Sequence, residues 1–259
     1  MITLHQHNEL CAAVLRAGEE LLSLWPGDLG ADRQLETSYK ADGSVVTEAD
    51  FRSNQILISA ITRLFPSDAI LSEESPFTPE QLQSSRRTWV IDPLDGTRSF
   101  VRGDDDFSVL VALCIDLVPV CGIMFFPARQ LFVTANSREA ALCNGVALAV
   151  SRTQSLMPGR VYIRNFECRR PEIAAPMMDS GLALLKVAQG ELDGAIIRMT
   201  THREWDIAAP AAIIRSAGGV VTNETQLPIR FGTGRVDFQY LIASNGVIHK
   251  ELQALISAA

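Results

Sequence analysis

Two aspartates that stand three residues apart, Asp92 and Asp95, end the apolar stretch WVID and are followed at once by Gly96 and Thr97. A carboxylate at the carboxyl end of a strand lies where open sheets tend to hold ligands. Two neighbouring carboxylates repel each other unless a cation lies between them or one of them is protonated. Backbone N–H groups in the turn at Gly96 are suited to phosphate. The stretch therefore predicts a hard divalent cation such as Mg²⁺ beside a phosphate group, because this ion prefers oxygen ligands.

The alternative reading of this stretch is an aspartate-rich turn that merely caps a helix. Three further stretches count against it: KADGSVVTEAD (40–50), SEES (72–75) and EWDIAAP (204–210). In each of them an acid stands where an apolar element begins or ends. Four such stretches in one chain indicate that several elements converge on one cation cluster. GDDDF (103–107) is interpreted as a solvated loop, as charge runs usually are.

The elements that must position these acids are predicted from apolar patterns. Helices are predicted over 8–25, 48–65, 179–189, 206–219 and 246–257, and strands over 69–72, 89–92, 107–115, 119–126, 129–134, 161–165 and 192–198. The strand 89–92 is expected to stop at Pro93. Strands in runs with helices between them predict an α/β or layered α+β fold. A weak boundary near residue 150 divides an N-terminal α+β part, 1–150, that carries most of the acidic stretches, from a C-terminal α/β part, 151–259, that carries Asp206.

Composition narrows the class of protein. The chain has 259 residues, of which 47% are hydrophobic, and a formal net charge of −7, so it is large enough for a substantial core and has no basic surplus to suit a nucleic acid polymer. The start predicts an amphipathic helix and no stretch has 18 uninterrupted apolar residues, so we expect neither signal peptide nor membrane span. The five cysteines form no CxxC pair, which predicts reduced thiols and a cytoplasmic location.

The order of motifs resembles a known family. D-x-S-x-V-T-x-A-D, S-E-E, W-V-I-D-P-L-D-G-T-x-x-F, W-D-x-A-A and A-G-G follow one another over roughly residues 40–219. This order resembles the inositol monophosphatase superfamily of Mg²⁺-dependent, lithium-sensitive phosphatases. The resemblance implies an α+β fold, a layered α-β-α-β-α sandwich of the inositol monophosphatase and fructose-1,6-bisphosphatase type. It also implies a homodimer that acts on a small phosphorylated metabolite.

The resemblance also assigns roles to residues. It implies two or three Mg²⁺ ions, whose ligands fall on Glu73, Asp92, Asp95, Asp206 and the main-chain carbonyl of Leu94. It implies catalytic roles for Asp50, Glu73 and Thr97, with Asp50 and Thr97 positioning the attacking water. It also implies that Glu74 lies just outside the direct ligands of the metal. Phosphate and substrate contacts fall on Gly96, Thr97 and Asp206. Metal ions that activate water allow direct in-line attack, and the four histidines have no evident Ser or Cys partner for a covalent route.

Two substrate classes remain open within the superfamily. KADGSVVTEAD, SEES and EWDIAAP look most like the CysQ-type 3′(2′),5′-bisphosphate nucleotidases, which act on 3′-phosphoadenosine 5′-phosphate. Met199 stands where inositol monophosphatases place an acid. Ser99 and Ala183 depart from the nucleotidase pattern, which has a glutamate and a lysine there, and Lys186 lies on another part of the helix surface. Inositol 1-phosphate or another small sugar phosphate is therefore the alternative, and a non-enzymatic binding protein is disfavoured because all expected metal ligands are present.

A bisphosphate nucleotide needs a cation for its second phosphate. With the lysine missing at position 183, we expect an arginine or histidine from the second half of the chain to replace it, because arginine binds phosphate in a bidentate manner. The candidates are Arg164, Arg169, Arg170 and the pair His202 and Arg203. Arg98 and Arg102, which follow Asp95 in the chain, are further candidates.

Overall fold

The computed structural model describes residues 2–29, 37–40, 43, 45–136 and 139–257, so Asp42 and Ser44 of the first motif lie outside the described residues. The helices are α1 (Leu4–Leu24), α2 (Pro26–Leu29), α3 (Glu48–Leu64), α4 (Pro79–Ser84), α5 (Thr97–Arg102), α6 (Ser180–Ala188), α7 (Glu204–Ser216) and α8 (His249–Ser257). The strands are β1 (Thr37–Tyr39), β2 (Val45–Thr47), β3 (Ala69–Ser72), β4 (Arg87–Asp95), β5 (Ser108–Ile115), β6 (Val118–Phe126), β7 (Leu131–Asn136), β8 (Glu139–Cys143), β9 (Val146–Ala147), β10 (Val161–Arg164), β11 (Gly194–Arg198), β12 (Val220–Asn223) and β13 (Tyr240–Ser244).

The strands form two main sheets and a short β1–β2 hairpin pair. The first sheet has seven strands in the order β3-β4-β5-β6-β7-β8-β9, with β3 and β4 parallel and the following neighbours antiparallel. The second sheet has four strands in the order β10-β11-β13-β12. Consecutive pairing through most of the first sheet follows from its short hairpin connections.

Five layers result from the way helices cover these sheets. Side chains of β4 alternate between two cores: Trp89 and Ile91 pack with α1 and α3, whereas Val90 packs on the opposite face with α6 and α7. Helices α6 and α7 also contact the second sheet, and α8 covers its other face. The predicted layered α-β-α-β-α sandwich is therefore confirmed.

The central helix α7 packs unusually close to the first sheet. Its buried side chains include the small residues Ala208, Ala209, Ala211 and Ala212. Gly122 of β6 permits the approach, because a Cβ there would stand 2.6 Å from the carbonyl oxygen of Ala209. This packing fixes the first turn of α7, which carries Asp206, against the sheet edge that carries Asp92 and Asp95.

The prediction that strand 89–92 stops at Pro93 is wrong. Strand β4 runs to Asp95, but its pairing with β5 is interrupted after Asp92 and resumes at Asp95 opposite Ser108. Proline is tolerated at such an irregularity because no ladder hydrogen bond is required of its missing N–H. The hydroxyl of Ser53 in α3 donates to the Pro93 carbonyl at 2.7 Å, which ties the irregular segment to the neighbouring helix.

The predictions from composition concern the cysteines and the length of apolar helices. All five cysteines are free thiols, and Cys114, Cys121 and Cys143 are buried. Among the described helices, none combines the length and the apolar character needed to cross a bilayer.

Candidate metal centre

Three acids from distant parts of the chain meet at one end of the first sheet. Carboxylate oxygens of Glu73, Asp92 and Asp206 all lie within 4.8 Å of one another. Glu73 directly follows β3, and its N–H donates to the carbonyl of Ile91 in β4 at 3.2 Å, so it lies beside Asp92. Asp206 comes from the other side as the third residue of α7. The structure thus brings together three of the four predicted side-chain ligands.

The fourth predicted ligand, Asp95, lies next to the same cluster. Burial raises the pKa of Asp95, and the negative charges of Asp179, Asp206 and Glu73 raise it further. Burial likewise raises the pKa of Asp92, with Glu73, Asp95 and Asp206 adding to it. The pKa of Asp206 is raised to about 7, chiefly by burial. These carboxylates are therefore held close together in surroundings that disfavour their combined negative charge.

Among the described residues, Lys40 brings a positive charge to the acidic cluster. Its Nζ lies 2.7 Å from Glu73 Oε1 and also contacts Glu74 Oε1. The side chain of Glu74 is only 4% exposed, and burial raises its pKa to about 7 despite the bond to Lys40. One ammonium group does not balance so many acids. Hard oxygen donors, of which Asp92 is buried and Glu73, Asp95 and Asp206 are half-buried, fit a divalent cation such as Mg²⁺ when they lack compensating charge.

A hydrogen-bonded pair, Asp50 and Thr97, stands beside the cluster. Asp50 occupies the first turn of α3, and its Oδ2 accepts from the N–H of Thr47 at 2.8 Å and from the Thr47 hydroxyl at 2.7 Å. Its other oxygen, Oδ1, accepts from the Thr97 hydroxyl at 3.2 Å. The Leu94 carbonyl lies 3.1 Å from the same hydroxyl. The single proton of Thr97 thus has two acceptors, and lone pairs of its oxygen remain available.

Gly96 forms the turn that links the acids to α5. It adopts a left-handed conformation, with φ 85°, which favours glycine. A Cβ at this position would stand 2.5 Å from the carbonyl oxygen of Asp106. Glycine is therefore required twice over at the position where the sequence predicted a phosphate-binding turn.

A cavity of about 740 Å³ opens beside these groups, which is a size that suits a small ligand. The predicted residues that line it are Glu73, Asp95, Gly96, Thr97 and Asp206. Of the candidate cations, Arg98, Arg102, Arg164, His202 and Arg203 line it as well.

Other candidates from the sequence lie elsewhere. Arg170 pairs with Glu172 at 2.8 Å, and Arg169 lines a separate pocket with Phe166 and Arg198. Lys186 pairs with Glu191 at 2.5 Å. Ala183 is buried in the core, and Met199 packs against the same core. None of these five positions lines the cavity described above.

Asp179 is an acidic residue of this cavity that the sequence interpretation missed. It is the N-cap of α6, and its Oδ1 accepts from the N–H groups of Gly181 and Leu182. An aspartate before an apolar helix is a normal capping signal, and the predicted helix began at this residue. The signal does not reveal which cap faces a ligand cavity, because that depends on how α6 packs between the two sheets.

Comparison with known proteins identifies the family of the chain. A family model described as "Inositol monophosphatase family" matches residues 5–259. An inositol-1-monophosphatase from Synechocystis sp. is 34% identical over 262 residues, covering 95% of this chain and 86% of that protein. The 3′(2′),5′-bisphosphate nucleotidase CysQ from Haemophilus influenzae is 26% identical, covering 89% of this chain and 90% of that protein.

Solved structures show the same architecture. An inositol monophosphatase from Anabaena (Nostoc) sp. PCC 7120 superposes with a TM-score of 0.77 at 27% identity, covering 97% of this chain and 95% of that chain. Both the family match and the 34% identical relative extend over nearly the whole sequence. The chain therefore belongs to the inositol monophosphatase family.

Proposed function

We propose that the protein is a Mg²⁺-dependent phosphomonoester hydrolase in which a water molecule attacks the phosphorus directly. The observation that carries this proposal is the convergence of Glu73, Asp92 and Asp206 within 4.8 Å of one another, beside a cavity that Asp95 and Thr97 also line. Two or three Mg²⁺ ions are expected, held by the four carboxylates and the Leu94 carbonyl. When bound, Mg²⁺ lowers the pKa of a coordinated water and offsets charge on the phosphate oxygens.

The chain's own residues supply the orientation for this attack. Asp50 is fixed by Thr47, so its free Oδ1 holds the Thr97 hydroxyl in one direction. When that hydroxyl donates to Asp50, the oxygen of Thr97 accepts a hydrogen bond from the attacking water and aligns it. The backbone N–H groups at Gly96 and Thr97 hold a phosphate oxygen. The product alcohol then leaves without a covalent intermediate on the protein.

The first candidate substrate is 3′-phosphoadenosine 5′-phosphate. Arg164 and Arg203 line the cavity and neither has an acidic side chain within ion-pair distance among the described residues. The Nε atom of Arg164 is buried and has no hydrogen-bond partner among the described residues. Such groups suit a second phosphate. The nucleotidase relatives support this candidate.

The second candidate is inositol 1-phosphate or another small sugar phosphate. Lys186 does not line the cavity and Ala183 is buried in the core, so the helix α6 offers the cavity no cation. The inositol-1-monophosphatase relative, which is 34% identical, supports this candidate. We further propose that the protein acts on a small phosphorylated metabolite, forms a homodimer, is inhibited by lithium and is located in the cytoplasm.

A substrate panel tests the proposal. Phosphate release is measured with Mg²⁺ for 3′-phosphoadenosine 5′-phosphate, inositol 1-phosphate and fructose 1,6-bisphosphate. We expect one of the first two to have the highest kcat/KM, and we expect Ca²⁺ to inhibit because it is larger and accepts looser geometry than the octahedral Mg²⁺. No release from any of the three esters would contradict the proposed function.

A further inference from the structure

Asp179 brings a negative charge to a place where a helix end would otherwise attract an anion. The N-terminus of a helix offers unpaired N–H groups that bind phosphates. In α6 the Asp179 Oδ1 takes the N–H groups of Gly181 at 2.8 Å and Leu182 at 3.3 Å. Burial raises the pKa of Asp179, but a carboxyl group has acceptor capacity beyond these two bonds in either protonation state, so Asp179 can accept a further hydrogen bond from the cavity that it lines. The cavity therefore meets hydrogen-bond acceptors at this wall.

Asp179 lies close to the reacting centre and not at the far end of the cavity. A Cβ built on Gly181 would stand 2.8 Å from Asp95 Oδ2 and 3.1 Å from Asp179 Oδ1. Those two carboxylate oxygens are therefore no more than about 6 Å apart. No cationic side chain lies within ion-pair distance of Asp179 in the described ranges of the chain. Asp179 therefore lies beside the expected metal centre, where the part of a leaving group nearest the phosphate ester would be.

A buried chain of hydroxyls makes His202 a second acceptor at the cavity. The Tyr162 hydroxyl donates to the Met178 carbonyl at 2.9 Å, so its oxygen must accept from Ser180 across the 3.3 Å contact. The Ser180 oxygen then accepts from His202 Nε2 at 2.9 Å, so the expectation that no histidine has a serine partner is wrong. Ser180 gives its proton to Tyr162 and not to His202, so this pair is not an activated nucleophile. Burial lowers the pKa of His202 to about 4, so the ring is neutral near pH 7 and its one proton is on Nε2.

The other ring nitrogen is consequently an acceptor with nothing to accept from. His202 is only 9% exposed, and its Nδ1 has no hydrogen-bond partner among the described residues. It lines the same cavity as Asp179. Two acceptors on this side of the cavity require donors on the ligand, because a buried polar group without a partner is costly.

We propose that Asp179 accepts a hydrogen bond from a hydroxyl on the carbon next to the phosphorylated carbon of the substrate, and that His202 Nδ1 accepts from a second donor of the same leaving group. The inference rests on the proposed function and adds the substrate hydroxyl that the site recognises. Both candidate substrates carry such a hydroxyl: the ribose 2′-hydroxyl beside a 3′-phosphate, and the ring hydroxyls beside position 1 of inositol. A C–H group there offers no donor, and a phosphate there would meet a like charge.

Matched substrates with and without this hydroxyl test the proposal. The first pair is 3′-phosphoadenosine 5′-phosphate and its 2′-deoxy analogue, and the second is inositol 1-phosphate and its 2,6-dideoxy analogue. The protein variants are wild type, Asp179→Asn, and Asp116→Asn as a control for the loss of one carboxylate. Asn retains the capping oxygen but turns an NH₂ donor toward the cavity, and Asp116 pairs with Arg86 outside it at 2.6 Å.

We expect wild type to prefer the hydroxyl-bearing ester of a hydrolysed pair by about 10- to 150-fold in kcat/KM, the range for a hydrogen bond to a charged group. In Asp179→Asn the preference should fall to within about threefold, through a loss on that ester alone. His202→Phe removes the acceptor of a different donor, so it should lower kcat/KM for both members of a pair and retain the preference between them, and Asp116→Asn should match wild type.

Two results would overturn the inference while leaving the proposed function intact. One is a wild type that hydrolyses both members of each pair equally well. The other is an Asp179→Asn variant that loses activity on both members in parallel, which would make Asp179 a support of the metal site or of the fold. If wild type releases no phosphate from any of the four esters, the proposed function fails and the inference fails with it.

Discussion

The link between Thr97 and Asp50 predicts a specific pattern of mutant activities. Thr97→Ala removes the hydroxyl that orients water, and we expect kcat to fall by about 10²–10⁴-fold, the usual contribution of a general-base arrangement. Thr97→Ser retains the hydroxyl and should remain within about tenfold of wild type. Asp50→Asn should resemble Thr97→Ala, because Asp50 Oδ1 is the atom that holds the Thr97 hydroxyl, at 3.2 Å.

The double mutant gives the stronger test, because the two groups act in series. Once Thr97 has lost its hydroxyl, the Asp50 carboxylate has nothing left to orient, so the double mutant should be no more than about tenfold slower than the slower single mutant. Independent roles would instead multiply the two losses. The assay is phosphate release at saturating Mg²⁺ and substrate, reported as kcat.

Stability has to be separated from catalysis in these variants. Asp50 also accepts from Thr47 at the start of α3, and loss of a capping interaction costs about 1 kcal/mol. For a chain of this size that lowers Tm by about 2–4 °C, which leaves the protein folded at 25 °C. A Thr97→Ala variant with near wild-type kcat, or fully multiplicative losses in the double mutant, would refute the reasoning.

Three further predictions concern the turn, the second phosphate and pH. Gly96→Ala should fold poorly or lose most activity, because its φ of 85° and the Asp106 carbonyl 2.5 Å from a Cβ exclude a side chain; thermal unfolding and kcat report it, and a fully active variant would contradict it. If the nucleotide is the substrate, Arg164→Ala should raise its KM about 10–150-fold and leave a small monophosphate unchanged, with Arg170→Ala, which pairs with Glu172, as the silent control. The pKa of His202 is lowered to about 4 by burial, so the unfolded chain binds more protons below its own pKa of about 6.5 and stability must fall as pH drops from about 6.5 toward 4. Neutral His202 contributes roughly 2 kcal/mol less at pH 5 than at pH 7, and a Tm difference between these pH values that is no smaller in His202→Phe than in wild type would contradict this.

Much of the candidate site was accessible to sequence reasoning because the site lies at the ends of elements. Asp92 and Asp95 stand where an apolar strand ends, and Asp206 stands in the first turn of a helix. Such positions are marked by a local change from apolar to polar residues. The order of strands and helices left an α/β or a layered α+β fold open, and the family resemblance predicted the layered sandwich. The strand 69–72 has the predicted bounds.

What the sequence left undetermined depends on contacts between distant segments. The passage of β4 through Pro93 requires an irregular pairing with β5 and a hydrogen bond from Ser53, neither of which is encoded near the proline. The place of Asp179 depends on how α6 packs between the sheets. The same holds for the cations: Arg164 and Arg170 look alike in sequence, but only Arg164 lines the cavity.

The dependence of phosphate release on Mg²⁺ tests the central claim most directly. The measurement is the initial rate of wild type and of Asp92→Asn as Mg²⁺ is added back to chelator-treated protein, with the better substrate of the panel. We predict no release in chelator, a saturable recovery for wild type, and a rate lower by orders of magnitude for Asp92→Asn, which loses a ligand charge but retains its size. A wild-type rate that is undiminished in chelator, or an Asp92→Asn curve that matches wild type, would contradict the account.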